Sequence, residues 1–272
     1  MTDITFIGLG IGLLLMIVPL WFLGRMHTGL VHPTVSATLR MIVQLYLIGL
    51  YLQYLFEYDL WYVNLAWGLV MVFVAAGTAL QRTRLKPQIL LMPLLTGFLG
   101  TALVVALYFL AFVLRLTDMD SGGALTLESL FAARYFIPIF GLLLGNMLGV
   151  NVVALSAYYD SLKREQQMYY YLIGNGATRW EATMPFLRQA VVKAFNPCIA
   201  NMAVMGLVAM PGTMIGQILG GADPSLAIKY QMMIVVITFV ASMLSLMITV
   251  VLAQRKSFDK MGRLQDVFVG EA

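Results

Sequence analysis

The sequence predicts an all-α, polytopic membrane protein of about seven transmembrane helices, and three observations carry that prediction. Of its residues 61% are hydrophobic and only 11% charged, with a mean hydropathy of +0.86, outside the range of a water-soluble domain. The apolar residues gather into blocks long enough to cross a hydrocarbon core of roughly 30 Å, which takes about 20 residues per helix. The cations fall almost wholly in alternate connections, the asymmetry that orients membrane proteins.

Seven blocks qualify: residues 4–24, 39–56, 60–80, 89–116, 136–158, 191–210 and 226–253. The first reads as a retained span, because Asp3 stands where a signal peptide needs a basic region and no small-residue cleavage site follows. The connections after spans one, three and five, with the tail, hold 14 of the 17 cations, from Arg25 and Arg40 through Arg82, Arg84 and Lys86 to Lys163 and Arg164. Facing them are Glu57, Asp59, Asp118, Asp120, Glu128 and Asp223, with only Arg115, Arg134 and Lys229. The expected topology therefore has the N-terminus outside and the C-terminus cytoplasmic, in one transmembrane domain over residues 1–272. The net charge of +4 and pI near 9.2 express this bias; no aromatic-basic platform points to nucleic acid.

Some features carry little chemistry. Cys198 is the sole cysteine, which excludes an intramolecular disulfide. His27 and His32 beside Pro33 read as a solvated connection rather than a metal pair. Residues 117–134 form the longest outer connection, open to two readings: a short interfacial helix or an ordered loop.

Glycine spacing is a stronger signal. Gly141, Gly145 and Gly149 repeat every fourth residue, as do Gly212, Gly216 and Gly220. Such faces let helix backbones approach closely in lipid, within one subunit, between two, or at a moving gate. Met210-Pro211-Gly212 interrupts the sixth span with a residue lacking an N–H and one free in its backbone angles. Broken backbone at membrane depth is tolerated only inside protein or beside a watery cavity. Gly206, Pro211, Gly212 and Gly216, with Gly141, Gly145 and Gly149, are thus candidates for a translocation path or gate. Asn146, Asn151 and Gln217 either line that path or cross-bond helices. The last span has a clear start, with Asp223 as cap and Pro224 in the first helical position.

Between the fifth and sixth spans, residues 160–193 form a polar stretch of five cations enclosing Tyr169, Tyr170, Tyr171 and the run Gly176-Ala177-Thr178. It reads as a cytoplasmic docking region whose tyrosines are either anchors for a partner or an interfacial cluster.

The run Arg40-Met-Ile-Val-Gln44, the pair Gly145-Asn146 after Ile137-Pro-Ile-Phe-Gly141, and Gly206-Leu-Val-Ala-Met-Pro-Gly212 leading to Asp223-Pro and Tyr230-Gln231 give the chain a likeness. Over residues 38–256 it resembles the Fet-type ABC permease family, which holds bacterial permeases linked to iron efflux and plant aluminium-tolerance proteins. The resemblance implies a homodimer in the cell membrane, joined by a separate ATP-binding subunit that binds ATP and Mg; no cofactor is expected in this chain. It also implies that Tyr169–Tyr171 and Gly176, Ala177 and Thr178 seat in a groove of that ATPase. The absence of any Gly-Lys dipeptide agrees, since the chain then has no phosphate-cradling loop of its own.

Two departures bear on cargo. Ala200 and Ala203 stand where family members often carry Asp and Lys, and Tyr171 where Glu often precedes Gly-Ala-Thr. Instead Cys198, Met202 and Met205 fall at i, i+4 and i+7, a sulfur stripe that suits a soft metal or simply fills an apolar core. The expected function is export of iron or another metal-related solute, against the alternatives of an organic solute or a passive channel or scaffold. An intramembrane aspartyl protease is excluded, because Asp160 and Asp223 are expected on opposite sides of the bilayer.

Overall fold

A computed structural model describes residues 6–114, 130–259 and 262–269. Among these residues the chain is almost entirely helical, with β-bridges only as isolated pairs. Six helical segments are long and apolar enough to span a membrane: Gly8–Arg25, Val31–Tyr58, Trp61–Thr83, Pro87–Ala111, Ala133–Arg164 and Pro224–Ser257. The protein is an all-α, multi-pass membrane protein. The expected span 191–210 lies instead on a helix that begins at Arg179 and stops at Val204. That helix carries Arg188, Gln189, Lys193, Asn196 and Asn201, too many polar groups to count with the six. The proposed interfacial helix at 117–134 falls largely on residues 115–129, outside the described residues, as does the end of block 89–116.

By internal contacts the chain forms two units. The first comprises residues 1–59 and 219–221 and contains helices α1 (Phe6–Leu14), α2 (Ile17–Arg25) and α3 (Val31–Tyr58). A turn with His27 and Gly29 at positive φ joins α2 to α3. Neither spanning segment of this unit buries its apolar window; helices apolar all round and left uncovered belong against lipid or another chain.

The second unit, residues 60–218 and 222–272, is a packed bundle. It holds α4 (Trp61–Thr83), α5 (Pro87–Tyr108), α6 (Ala133–Arg164), α7 (Gln166–Gly174), α8 (Arg179–Val204), α9 (Gly212–Leu219) and α10 (Pro224–Ser257). Past Tyr108, α5 widens into π-type bonding over Phe109–Leu114. Helix α10 packs on α5 and α6, α6 on α4 and α8. Its 34 residues make it about 51 Å long at roughly 1.5 Å per residue. It starts as expected: the Asp223 carboxylate accepts from Leu226 N at 3.2 Å, with Pro224 next.

Apolar burial supplies little association energy in lipid, so close backbone contact and interhelical hydrogen bonds must hold such a bundle. Both occur along one side of α10. Asn151 Nδ2 on α6 donates to Ser245 Oγ at 3.1 Å. One turn on, Thr249 faces Pro93 and Gly97 of α5. Gln254 Nε2 donates to Tyr158 Oη and to Thr183 Oγ1, each at 3.1 Å, joining α6, α8 and α10 in one buried knot. Tyr159 and Ser257 share a hydrogen bond of 2.6 Å. Gly97 makes the α5 contact possible: a Cβ there would strike Thr249 Oγ1 and lie 3.1 Å from Ser245 O.

Gly97→Val is therefore expected to destabilise the bundle by about 1–3 kcal/mol through overpacking. Gly100→Ala, with nothing within 4 Å of its Cβ, should be neutral or stabilising by up to ~1 kcal/mol. Thermal unfolding in detergent checks this; equal losses in the two variants would refute the close α5–α10 contact.

Candidate functional site

Within the second unit, α6, α8, α9 and α10 line a half-open cavity of about 250 Å³. Helix α6 contributes Leu142, Asn146 and Val150, one per turn. From α8 come Phe195, Cys198, Asn201 and Met202, and the chain just past the helix adds Met205. Gln231, Thr238 and Ser242 recur at i, i+7 and i+11, which puts them on one face of α10. Phe195 and Phe239 meet edge to face at 5.2 Å and form one wall. Thr213 at the start of α9 donates to Gln231 Oε1 at 2.6 Å, tying that short helix to α10. Among the described residues, no acidic, basic or histidine side chain lines the cavity.

The sequence-predicted residues divide here. Asn146, Cys198, Met202 and Met205 meet at the cavity. Gly141 packs within the bundle, a Cβ there lying 2.9 Å from Met71 Cε. A Cβ added at Gly145, Gly149, Gly212 or Gly216 would meet nothing within 4 Å among the described residues. Gln217 is off the cavity, its carbonyl accepting from Ala222 N. The expected break of the sixth span is present but begins earlier than Pro211. Helix α8 ends at Val204, Met205 is extended, and Gly206 takes a φ of +86°, which only glycine adopts without strain. Asn201, Thr213 and Gln231 were not singled out. Gln231 had a usable signal, as a polar amide seven residues into an apolar helix.

The stretch 160–193 is not a separate surface piece. It comprises the end of α6, a break at Glu165, α7, a turn, and the first half of α8. Gly176 at φ +89° reverses the chain. Thr178 then caps α8 reciprocally with Glu181: Glu181 N donates to Thr178 Oγ1 at 3.3 Å and Thr178 N to Glu181 Oε2 at 2.7 Å. Hydrogen bonds from the Thr178 hydroxyl and backbone hold the Glu181 carboxyl below its usual range. The three tyrosines point apart, as successive residues of a helix must. Tyr170 and Tyr171 are exposed, Tyr171 at 71%, whereas Tyr169 is buried. Its ring lies 5.3 Å from Phe258 and its hydroxyl donates to Gly262 O at 2.9 Å, and burial raises its phenol pKa. Tyr169 thus secures the chain's own tail and leaves Tyr170 and Tyr171 for any outside partner.

That tail, described at residues 258–259 and 262–269, packs on the same end of the unit. Arg179 lies over Phe258 at 5.4 Å and donates to Asp259 O at 3.3 Å. Lys163 lies over Phe268 at 5.1 Å. Lys86 N donates to Val267 O at 2.8 Å and Val269 N to Arg84 O at 2.9 Å, while the Lys86 ammonium pairs with Asp266. The Lys86 hydrogen bond is the main reason the Asp266 carboxyl sits below its ordinary range.

The fold and site define a polytopic helical membrane protein with a mostly apolar cleft that carries a few uncharged polar groups, and a polar end outside the spans. The profile of the uncharacterised protein family UPF0014 matches residues 6–258, and the chain belongs to that family. It is 32% identical over 230 residues to Protein ALUMINUM SENSITIVE 3 of Arabidopsis thaliana, covering 83% of this chain and 77% of that one. To the UPF0014 membrane protein STAR2 of Oryza sativa subsp. japonica it is 30% identical, covering 88% and 78%. To the probable iron export permease protein FetB of Escherichia coli it is 27% identical, covering 96% and 95%. No solved structure matches the chain.

Two outcomes follow from the polar end. Thr178→Ala should cost about 1 kcal/mol by removing the cap, measured as a shift in unfolding midpoint. Carboxyls whose folded pKa is depressed stabilise the fold above their unfolded pKa, about 4, and lose that contribution as pH falls through the folded value. Stability should therefore fall on acidification below about pH 4, and Asp266→Asn should flatten that fall. An unchanged acid profile in Asp266→Asn would show that the Lys86 contact does not hold the tail.

Proposed function

We propose that this chain is the permease subunit of an ABC transporter that exports a metal-related solute from the cytoplasm, as a homodimer driven by a separate ATP-binding subunit. The observation that carries the reading is helix α8. One helix of 26 residues runs from the capped turn at Gly176-Ala177-Thr178 to the cavity wall at Cys198 and Met202. At roughly 1.5 Å per residue, Thr178 and Cys198 are about 30 Å apart along a single lever. A partner that moves the turn therefore moves the cavity.

Family membership supports the reading, as does the name of the FetB relative, a probable iron export permease. In this scheme the polar end is cytoplasmic, and Tyr170, Tyr171 and the Gly176 turn dock on the ATPase. ATP and Mg bind to that partner, and closure of its two copies favours one arrangement of the bundle by differential binding. The uncovered apolar helices of the first unit then face lipid or the second permease copy.

ATPase activity of the cognate ATP-binding subunit, reconstituted with the permease in liposomes, tests this. Native permease should stimulate hydrolysis. Gly176→Arg, forced onto a positive φ at an exposed turn, should abolish the stimulation. Tyr170→Ala with Tyr171→Ala should weaken the complex roughly 30-fold if each contributes as an anchor, at about 1 kcal/mol apiece. A permease that binds no ATPase, or stimulation indifferent to both changes, would overturn the assignment.

A further inference from the structure

We propose that the cavity between α6, α8 and α10 binds a soft monovalent cation of the Cu(I) or Ag(I) type, with the sulfurs of Cys198, Met202 and Met205 as its ligands. The proposal rests on the permease reading and narrows its cargo. All three sulfur residues line one cavity. Cys198 and Met202 lie one turn apart on α8, about 6 Å in rise, and Met205 follows just past the helix end on the same cleft.

The polar lining is disposed to receive a cation. Thr238 and Ser242 spend their hydroxyl hydrogens on Ile234 O and Thr238 O, at 2.8 and 2.7 Å, and Thr213 spends its own on Gln231. The Cys198 thiol is directed at Ala194 O, 3.8 Å away. The hydroxyls and the thiol thus keep lone pairs for whatever enters, a lining for an electron-pair acceptor.

Charge then selects among cations. A divalent or trivalent ion would meet no carboxylate or imidazole among the described lining residues to offset its charge. Hard ions also prefer oxygen anions to thioethers. A monovalent soft ion has no such difficulty. On binding, Cys198 releases its proton to water and becomes a thiolate; one negative sulfur and one positive ion leave the cavity neutral, and the two thioethers complete a coordination that soft metals favour. Asn146 and Gln231 are left to hold cavity water or the ion's remaining face.

Cys198 is the sole cysteine of the chain, so maleimide alkylation of the purified full-length protein reports on this site alone. One equivalent of Ag(I), or of Cu(I) under anaerobic conditions, should slow alkylation, while equal Fe(II) or Zn(II) should not. Met202→Leu with Met205→Leu keeps side-chain volume and should weaken Ag(I) protection by at least the roughly tenfold that loss of even an outer metal partner causes. Alkylation unaffected by Ag(I), protection as strong in the double leucine variant as in the native chain, or equal protection by Fe(II) would each overturn the proposal. The assay contains no ATPase, so its failure would leave the transporter reading standing. Loss of ATPase coupling would likewise leave the metal site standing.

Discussion

The bundle depends on a single constraint: in lipid, α10 must hold its neighbours by polar contacts and close approach rather than by apolar burial. Its polar side chains answer that need in sequence order. Ser245 receives Asn151, Thr249 meets the Pro93–Gly97 segment of α5, Gln254 links Tyr158 to Thr183, and Ser257 meets Tyr159. Each such bond contributes only about 0.6 kcal/mol on average in membrane proteins. Their value here is as much geometric, because every one fixes the rotation of a helix whose apolar surface offers no preferred orientation. The cavity is a consequence. Once Ser245 and Gln254 set α10 against α6, the face bearing Gln231, Thr238 and Ser242 is turned toward Asn146 and Cys198.

The polar end is organised differently, by short-range chemistry outside the spans. Tyr169, Arg179, Lys163 and Lys86 each grip the segment 258–269, by ring contact, cation–π contact or hydrogen bond. This segment joins the α4–α5 connection to the α6–α7–α8 turn. The turn at Gly176 is therefore no loose loop: it is capped at Thr178 and braced at Arg179, which ties it to the start of α8.

Much of the fold was legible from composition. Apolar blocks of the right length gave six of the seven expected spans, and Asp223-Pro224 marked the start of α10 because cap chemistry is local. Helix α8 was harder, since Arg179, Glu181, Arg188 and Lys193 make its first half look like a connection. Only Ala182, Thr183, Phe186, Leu187 and Ala190, buried at helical spacing, show that it is the wall of a bundle. The tyrosine triplet illustrates the same limit: a cluster of three rings was readable, but which of three successive rings turns inward depends on Phe258 and Gly262, some 90 residues away. In the cavity, the sulfur stripe and Asn146 were visible as spacing. Gln231 was readable as a polar amide in an apolar helix, but its partner Thr213 comes to it from across a turn that the spacing does not show.

Polar anchorage along α8 is unequal. Its N-terminal end has a reciprocal cap, a buried hydroxyl at Thr183 and the Gln254 bond. Proline interrupts the helical ladder in both halves, Pro185 removing the N–H that would bond to Glu181 O and Pro197 the one that would bond to Lys193 O. The Cys198 thiol contacts Ala194 O in the turn of Pro197. A few residues later the helix stops, and Gly206 turns the chain at positive φ. The helix is thus fixed by polar contacts where it starts and meets the cleft close to a break, which puts Cys198, Met202 and Met205 on its less anchored part; under the proposed transport scheme, that is where a rearrangement of the bundle would shift the ligands of a bound ion.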